Sequence, residues 1–528
     1  MHDIRDSLPS PPRTPGPDDP RVLARVHEPT GALAGDKGLK RDAIGFLSNL
    51  VIGVASTAPA YSLAATLGFI VAVPGMGLHA PAVLLVAFVP MLLIAFAYRY
   101  LNRADPDCGT SFAWTTRALG PWVGWMNGWA IFVADVIVMA SLSVIASTYT
   151  YVLVGWDRGA SSTPAIIVGS AVWIALMTFI CWRGIELSAR VQQLLLAAEI
   201  AVLGAFAIVA LYKIYATSPP GSLHVSADWF NPFSLGLTPL VDGVLLAIFI
   251  YWGWDSGVTV NEETESAAEA PGRAAIASTL ILLVIYVVVS AAAQAYAGPD
   301  RLANNPDDVL RVLGANVFGS PWDKLLIVAV LTSAAASTQT TILPTARTTL
   351  SMARWRAIPD AFGHLHSRYL TPDVSTIGMG ALSIAFTAVL VGFDPSQDVL
   401  GDSITALGFA ILFYYGCTGL ACVVYYRRQL RDRWRHLVLA GVVPLLGFLA
   451  MAAIFVKALH DYSQPGAGYS SPVLGIQVPI VIGIGALLLG VPVMLLVARR
   501  FRAFFRRPLE VAADGALDAV PEPVRVHF

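Results

Sequence analysis

Two short stretches, Gly53-Val-Ala-Ser-Thr-Ala-Pro59 and Tyr251-Trp-Gly-Trp-Asp-Ser-Gly257, decide how this sequence reads. Each lies within an apolar run long enough to cross a bilayer, and each holds residues that a continuous helix tolerates badly. Glycine loses more conformational freedom on folding than any other residue, and Pro59 lacks an N–H and collides with the carbonyl one turn back. The first stretch adds two hydroxyls; the second sets two glycines around a tryptophan and a carboxylate. Both are expected to interrupt their helices and leave peptide groups unpaired at mid-membrane depth.

The surrounding chain is built for lipid. Of 528 residues, 56% are hydrophobic and 13% charged, against roughly 25% charged in soluble domains. Crossing hydrocarbon takes roughly 20 apolar residues in a helix that satisfies its own backbone. Twelve stretches qualify: Ile44–Val73, Ala80–Tyr100, Trp122–Val154, Ala165–Trp182, Glu186–Tyr212, Pro239–Val260, Ala274–Tyr296, Leu325–Leu350, Val374–Val391, Ile404–Tyr426, Leu437–Val456 and Val478–Ala498. The expected fold class is an all-α polytopic membrane protein of about 12 transmembrane helices. Net charge is −1, which gives no reason to expect nucleic acid. Four scattered cysteines lack the spacing of a disulfide framework or a zinc site.

Alternate loops differ in basic content. Arg99, Arg103 and Arg117, then Arg183 and Arg190, Arg347 to Arg368, Arg427 to Arg435 and Arg499 to Arg507 fall on one side. The other side is acidic, as at Asp300–Asp308 and at Asp394, Asp398 and Asp402. Basic loops remain cytoplasmic, so both termini are expected in the cytoplasm of a multi-pass protein of the cytoplasmic (inner) membrane. Residues 1–40, rich in proline and charge, read as a disordered cytoplasmic tail, and 504–528 as a second tail. A short interfacial helix is expected within Gly298–Trp322.

The two interrupted spans are the first and the sixth. An offset of five places the second copy of a repeat upside down in the membrane, and paired breaks of this kind mark binding sites in inverted-repeat transporters. The expected division is a first repeat over 41–220, a second over 235–430, and two further helices over 436–503.

Several local patterns resemble the amino acid–polyamine–organocation family of permeases across most of 40–430. They are the break at Gly53 to Pro59, the loop Pro106-Asp-Cys-Gly-Thr-Ser-Phe112, and Gly253-Trp-Asp255 followed by Glu262-Glu-Thr264 and Pro271-Gly-Arg273. Ala346-Arg347 with Ser351-Met-Ala-Arg354 is similar to the basic end of the family's eighth helix. The resemblance implies a leucine-transporter-type 5+5 inverted-repeat core plus two C-terminal helices, working by alternating access on an amino acid or related amine.

A zwitterion needs donors for its carboxylate and acceptors for its ammonium. Val54, Ala55, Ser56, Thr57 and Ala58 are expected to supply amides and hydroxyls, aided by the positive end of the half-helix that follows. Carbonyls near Phe249, Ile250 and Trp252 are expected to receive the ammonium, with Trp252 or Trp254 covering the solute. A bulky residue at Gly253 is expected to abolish uptake and leave the protein folded.

Asp135, Glu199 and Asp255 lie near mid-depth without basic partners of matching depth. A buried charge of this kind costs roughly 2.5–3.5 kcal/mol on insertion scales, so these acids are candidates for proton coupling. Glu199 stands where some proton-coupled relatives carry a lysine, a reversal of sign. Thr332-Ser333 resembles the hydroxyl pair that completes a sodium site against the first break, here near Gly53, and sodium-coupled symport or amino acid exchange is the alternative. Arg183 and Arg347 against Glu262 and Glu263 form a candidate inner gate. A nutrient sensor on the same fold is the rival from another class. No HExxH, GxSxG or P-loop pattern suggests an enzyme, and neither a cofactor nor a resident metal is expected.

Overall fold

The computed structural model describes residues 37–304, 309–393, 398–468, 470–513 and 516–517. The expected N-terminal tail lies outside these except for its last four residues, as do Asp394 and parts of the 298–322 loop and the C-terminal tail.

The main helices, numbered along the chain, are α1 (Phe46–Ser56), α2 (Pro59–Ala72), α3 (Ala80–Ala104), α4 (Ser111–Leu119), α5 (Pro121–Leu153), α6 (Thr163–Trp182), α7 (Ile185–Thr217) and α8 (Leu237–Ile250). They continue as α9 (Ser256–Thr259), α10 (Ala270–Ala297), α11 (Val309–Val317), α12 (Lys324–Arg354), α13 (Asp373–Phe393), α14 (Asp398–Tyr425), α15 (Val443–Tyr462) and α16 (Val478–Arg500). Among the described residues there is no strand, only two isolated bridges.

Among the described residues, eleven helices, with α1 and α2 taken as one interrupted span, are long and apolar enough to cross a membrane. The twelfth expected span, 239–260, differs because its helix stops at Ile250 after 14 residues and the chain then turns through Tyr251–Asp255. That shortening is itself the second break. The first break lies between Ser56 and Pro59, as the sequence led us to expect. The loop from Pro106 leads into the short α4, which begins at Ser111 and which Gly120 at φ 100° separates from α5. The 298–322 loop contains α11, in line with expectation.

Burial sorts the helices into two shells. In α5 the most apolar window is 89% buried and in α12 it is 78%, against 28% in α6 and 22% in α16. Val168, Val172 and Phe179 on α6 and Leu488, Leu495 and Leu496 on α16 are exposed. A soluble protein rarely shows apolar patches beyond a few hundred Å², so these outer faces belong against lipid. Inside, α12 packs on α5 and α7, and α10 packs on α1 and α3. The two broken segments lie between these inner helices.

Candidate functional site: two broken helices and three buried acids

At the first break Thr57 N–H donates to the Val54 carbonyl at 3.2 Å and Ala58 N–H to the Ala55 carbonyl at 3.1 Å. These are bonds of the tight three-residue kind, with poorer geometry than in an α-helix. Ala58 then turns the chain in the left-handed region at φ 47°, which costs an L-residue roughly 1–2 kcal/mol. Pro59 begins α2, where its missing N–H is no loss. The next two amides find partners on other helices: Ala60 N–H donates to Glu199 Oε1 at 2.7 Å, and Tyr61 N–H to Ser333 Oγ at 3.2 Å. The carbonyls are engaged too. Ser337 donates to the Ser56 carbonyl at 2.9 Å, and Ser62 to the Thr57 carbonyl at 2.6 Å.

The second break is differently furnished. Gly253 adopts φ 115°, and a Cβ there would stand 2.8 Å from the Ser56 carbonyl oxygen. The hydroxyls of Ser56 and Ser256 lie 2.7 Å apart, which joins the breaks directly. The Phe249 carbonyl accepts from Trp252 N–H at 3.1 Å, and the Ile250 carbonyl accepts from the Tyr286 hydroxyl at 2.7 Å. No hydrogen bond among the described residues engages the amides of Gly253 and Trp254, nor the indole N–H of the fully buried Trp254. Unused donors therefore collect at Gly253–Trp254, whereas the amides of the first break are in use. The steric result also alters the expectation for Gly253. Any side chain there strains the backbone and strikes Ser56, so the fold is affected together with the site.

All three acids are buried, and they occupy different settings. Glu199, on α7, sits at the positive N-terminal end of α2, where an anion is favoured. Asp135, on α5, accepts from the Thr345 hydroxyl of α12. Asp255 accepts from Tyr415 at 2.8 Å, Tyr414 at 3.2 Å and Tyr98 at 3.3 Å. The Trp252 indole donates to Tyr414 at 2.5 Å and so joins this cluster. The hydroxyls expected at a sodium site have these partners. Thr332 donates back to Val328 and Ala329 of its own helix, and Ser333 faces Tyr61.

The gate residues separate likewise. Arg347 pairs with Glu263 through two bonds of 2.7 and 3.0 Å, with both side chains 1% exposed. Glu262 instead accepts from the Cys108 amide at 2.8 Å. Arg183 lies over the Phe179 and Tyr369 rings. Asp107, beside Cys108, accepts from Gly109 N–H, the Ser351 hydroxyl and the Trp355 indole. Asn261 donates to Asn102 and to the Asp107 carbonyl at 2.8 and 3.1 Å. Asp107, Cys108 and Glu262 bring possible metal ligands within 4.8 Å. Those carboxylates already accept from protein donors, which makes the group a lock between loops.

Sequence reasoning missed the three tyrosines on Asp255, the Ser337 contact and the Asp107–Trp355 bond. The adjacent pair Tyr414-Tyr415 in an apolar span was the available signal, because a buried phenol needs a hydrogen-bond partner.

Comparison with known proteins places this geometry. The amino acid permease family model matches residues 42–504. The low-affinity putrescine importer PlaP of Escherichia coli is 22% identical over 387 residues, 72% of this chain and 81% of the importer. The branched-chain amino acid permease BcaP of Bacillus subtilis is 23% identical over 451 residues, 82% of this chain and 90% of that permease. An arginine/ornithine antiporter of Latilactobacillus sakei is 23% identical, covering 70% of this chain and 77% of its own. The family match runs through both broken helices, the three buried acids and the Arg347–Glu263 lock, and the chain belongs to the amino acid permease family.

Proposed function

We propose that this protein is a secondary active transporter that moves an amino acid or related amine by alternating access and couples the movement to protons. In this reading 41–220 and 235–430 are inverted repeats, 436–503 adds two helices, and both termini are cytoplasmic. The solute lies between Val54–Ala58 and Phe249–Trp254. Its carboxylate takes the amides of Gly253 and Trp254 and competes for those of Thr57 and Ala58, whose three-residue bonds are the weakest in the first break.

The observation that carries proton coupling is the Glu199 carboxylate on the Ala60 amide. As an anion Glu199 caps α2; as a neutral acid it loses the charge that favours this end of a helix. Protonation therefore alters the hold of α7 on α2, with Asp135 and Asp255 as further carriers.

The test uses purified protein in liposomes and a panel of labelled amino acids and putrescine. Accumulation should follow an acid-outside gradient without sodium, and Glu199→Gln should keep solute exchange but lose gradient-driven accumulation. Accumulation that follows sodium at equal pH would overturn the coupling. Absence of any saturable uptake would overturn transport and favour a sensor.

A further inference from the structure

The C-terminal segment, read from sequence as a free tail, is fastened to the molecule at several places. After α16 the chain turns at Phe501. Phe504, 1% exposed, stacks on Phe112 with ring centres 5.9 Å apart. The Arg507 guanidinium lies 4.7 Å from the centre of the Trp355 ring, and Arg117 lies 4.8 Å from it. Glu510 pairs with Arg117 at 2.6 Å, and its amide donates to the Arg117 carbonyl at 2.7 Å. Beyond it, Ala512 N–H donates to the Tyr425 carbonyl at 3.0 Å. Gln429 donates to the Ala513 carbonyl at 2.5 Å and accepts from Leu517 N–H at 3.0 Å.

Two of these anchors lead to the lock. Trp355 closes α12 and donates its indole N–H to Asp107 at 3.1 Å. Arg117, on α4, pairs with Asp105 at 2.7 Å, two residues before Asp107. Tyr425 ends α14, and Gln429 opens the short 3-10 turn that follows it. Burial works against the Arg117 charge, but the Asp105 and Glu510 carboxylates outweigh it and raise its pKa, so the guanidinium keeps its charge. Asp107 is where the lock converges, because its carbonyl accepts from Asn261 and Cys108 beside it bonds Glu262. The tail thus holds Trp355 and Arg117, which in turn hold the Asp105–Asp107 shelf against the loop after α9. A connection made in one arrangement and strained in another shifts the population toward the first.

We propose that residues 502–513 and 516–517 form an autoinhibitory strap that keeps the Asp107–Asn261–Arg347 end of the transport path closed. The proposal rests on the reading of that end as a gate. Displacing the strap lets the shelf move and speeds opening, so a modification or partner that unseats Glu510 from Arg117 would act as an activator.

Two natural thiols allow a test that needs no solute. Cys108 is buried in the lock, and Cys422 is buried elsewhere against the Ala440 carbonyl at 3.6 Å. Purified full-length protein and Glu510→Lys would be alkylated with N-ethylmaleimide and followed peptide by peptide by mass spectrometry. The expected result is roughly tenfold faster labelling of Cys108 in the variant, with Cys422 unchanged. Equal Cys108 rates, with trypsin cleavage after Arg506 accelerated to show that the tail has lifted, would overturn the strap. Should Cys422 also become reactive, the milder Gln429→Ala decides by the same comparison. Faster Cys108 labelling in a protein that transports nothing would keep the strap and defeat the transport reading; normal transport with unchanged labelling would do the reverse.

Discussion

Gly253 and Ser56 touch across the two broken helices: the space for a Cβ on one lies 2.8 Å from the carbonyl oxygen of the other. Gly253→Ala must therefore shift the first break or relax its own φ of 115°, a left-handed value that costs an L-residue of order 1–3 kcal/mol. The expected result is a lower thermal midpoint in detergent together with lost uptake. A stable protein with unchanged uptake would show that the contact is not needed.

Removing one member of the Arg347–Glu263 pair leaves a buried charge alone. Glu263→Gln should cost about 3–5 kcal/mol. Arg347→Met combined with Glu263→Met should recover most of that, because an apolar pair of similar volume carries no desolvation penalty. A double-mutant cycle by chemical denaturation measures the difference.

At Asp255, Tyr415→Phe removes the shortest of three phenolic donors and should cost about 1.5–3 kcal/mol, the range for a hydrogen bond to a charged group. Tyr414→Phe should cost at least as much, since it also strands the Trp252 indole. Matched thermal-shift measurements on the two variants test the order.

Glu199→Gln retains an acceptor for the Ala60 amide, whereas Glu199→Leu does not. The leucine variant should be less stable than the glutamine variant by about 1–3 kcal/mol, the cost of a buried unsatisfied donor. Equal stabilities would mean that water or a shift of α2 satisfies Ala60.

Outside the membrane, the Ser234 hydroxyl lowers the Asp228 pKa; the slight burial opposes this and His79 assists. A depressed carboxyl pKa contributes stability above the unfolded value, and that contribution is lost as pH falls through the folded value. Hydrogen exchange in residues 226–236 should accelerate only once pH drops below the ordinary carboxylate range. Acceleration near neutrality would contradict this anchor.

Both breaks were legible because Pro59 and Gly253 act through the local backbone, so one short window carries the signal. Helix lengths followed from apolar runs for the same reason. The partners of Glu199 and Asp255 were not legible. Ala60 lies 139 residues from Glu199, and Tyr415 lies 160 from Asp255. Nothing local distinguishes a tyrosine facing an acid from one facing lipid. Of the four gate residues, charge alone suggested interchangeable pairs, yet burial selected Arg347 with Glu263 and left Arg183 to aromatic rings. The strap was hidden because a charged, proline-containing end reads as solvated until its backbone bonds are seen.

The main chain of Glu263 accepts from the amides of Ala43 and Ile44, and the Glu265 amide returns a bond to Ile44. Its side chain meanwhile grips Arg347. One residue is thereby riveted to the lead-in of α1 on one side and to α12 on the other. The grip on Arg347 is thus continuous, through the backbone and side chain of one residue, with the segment that leads into α1.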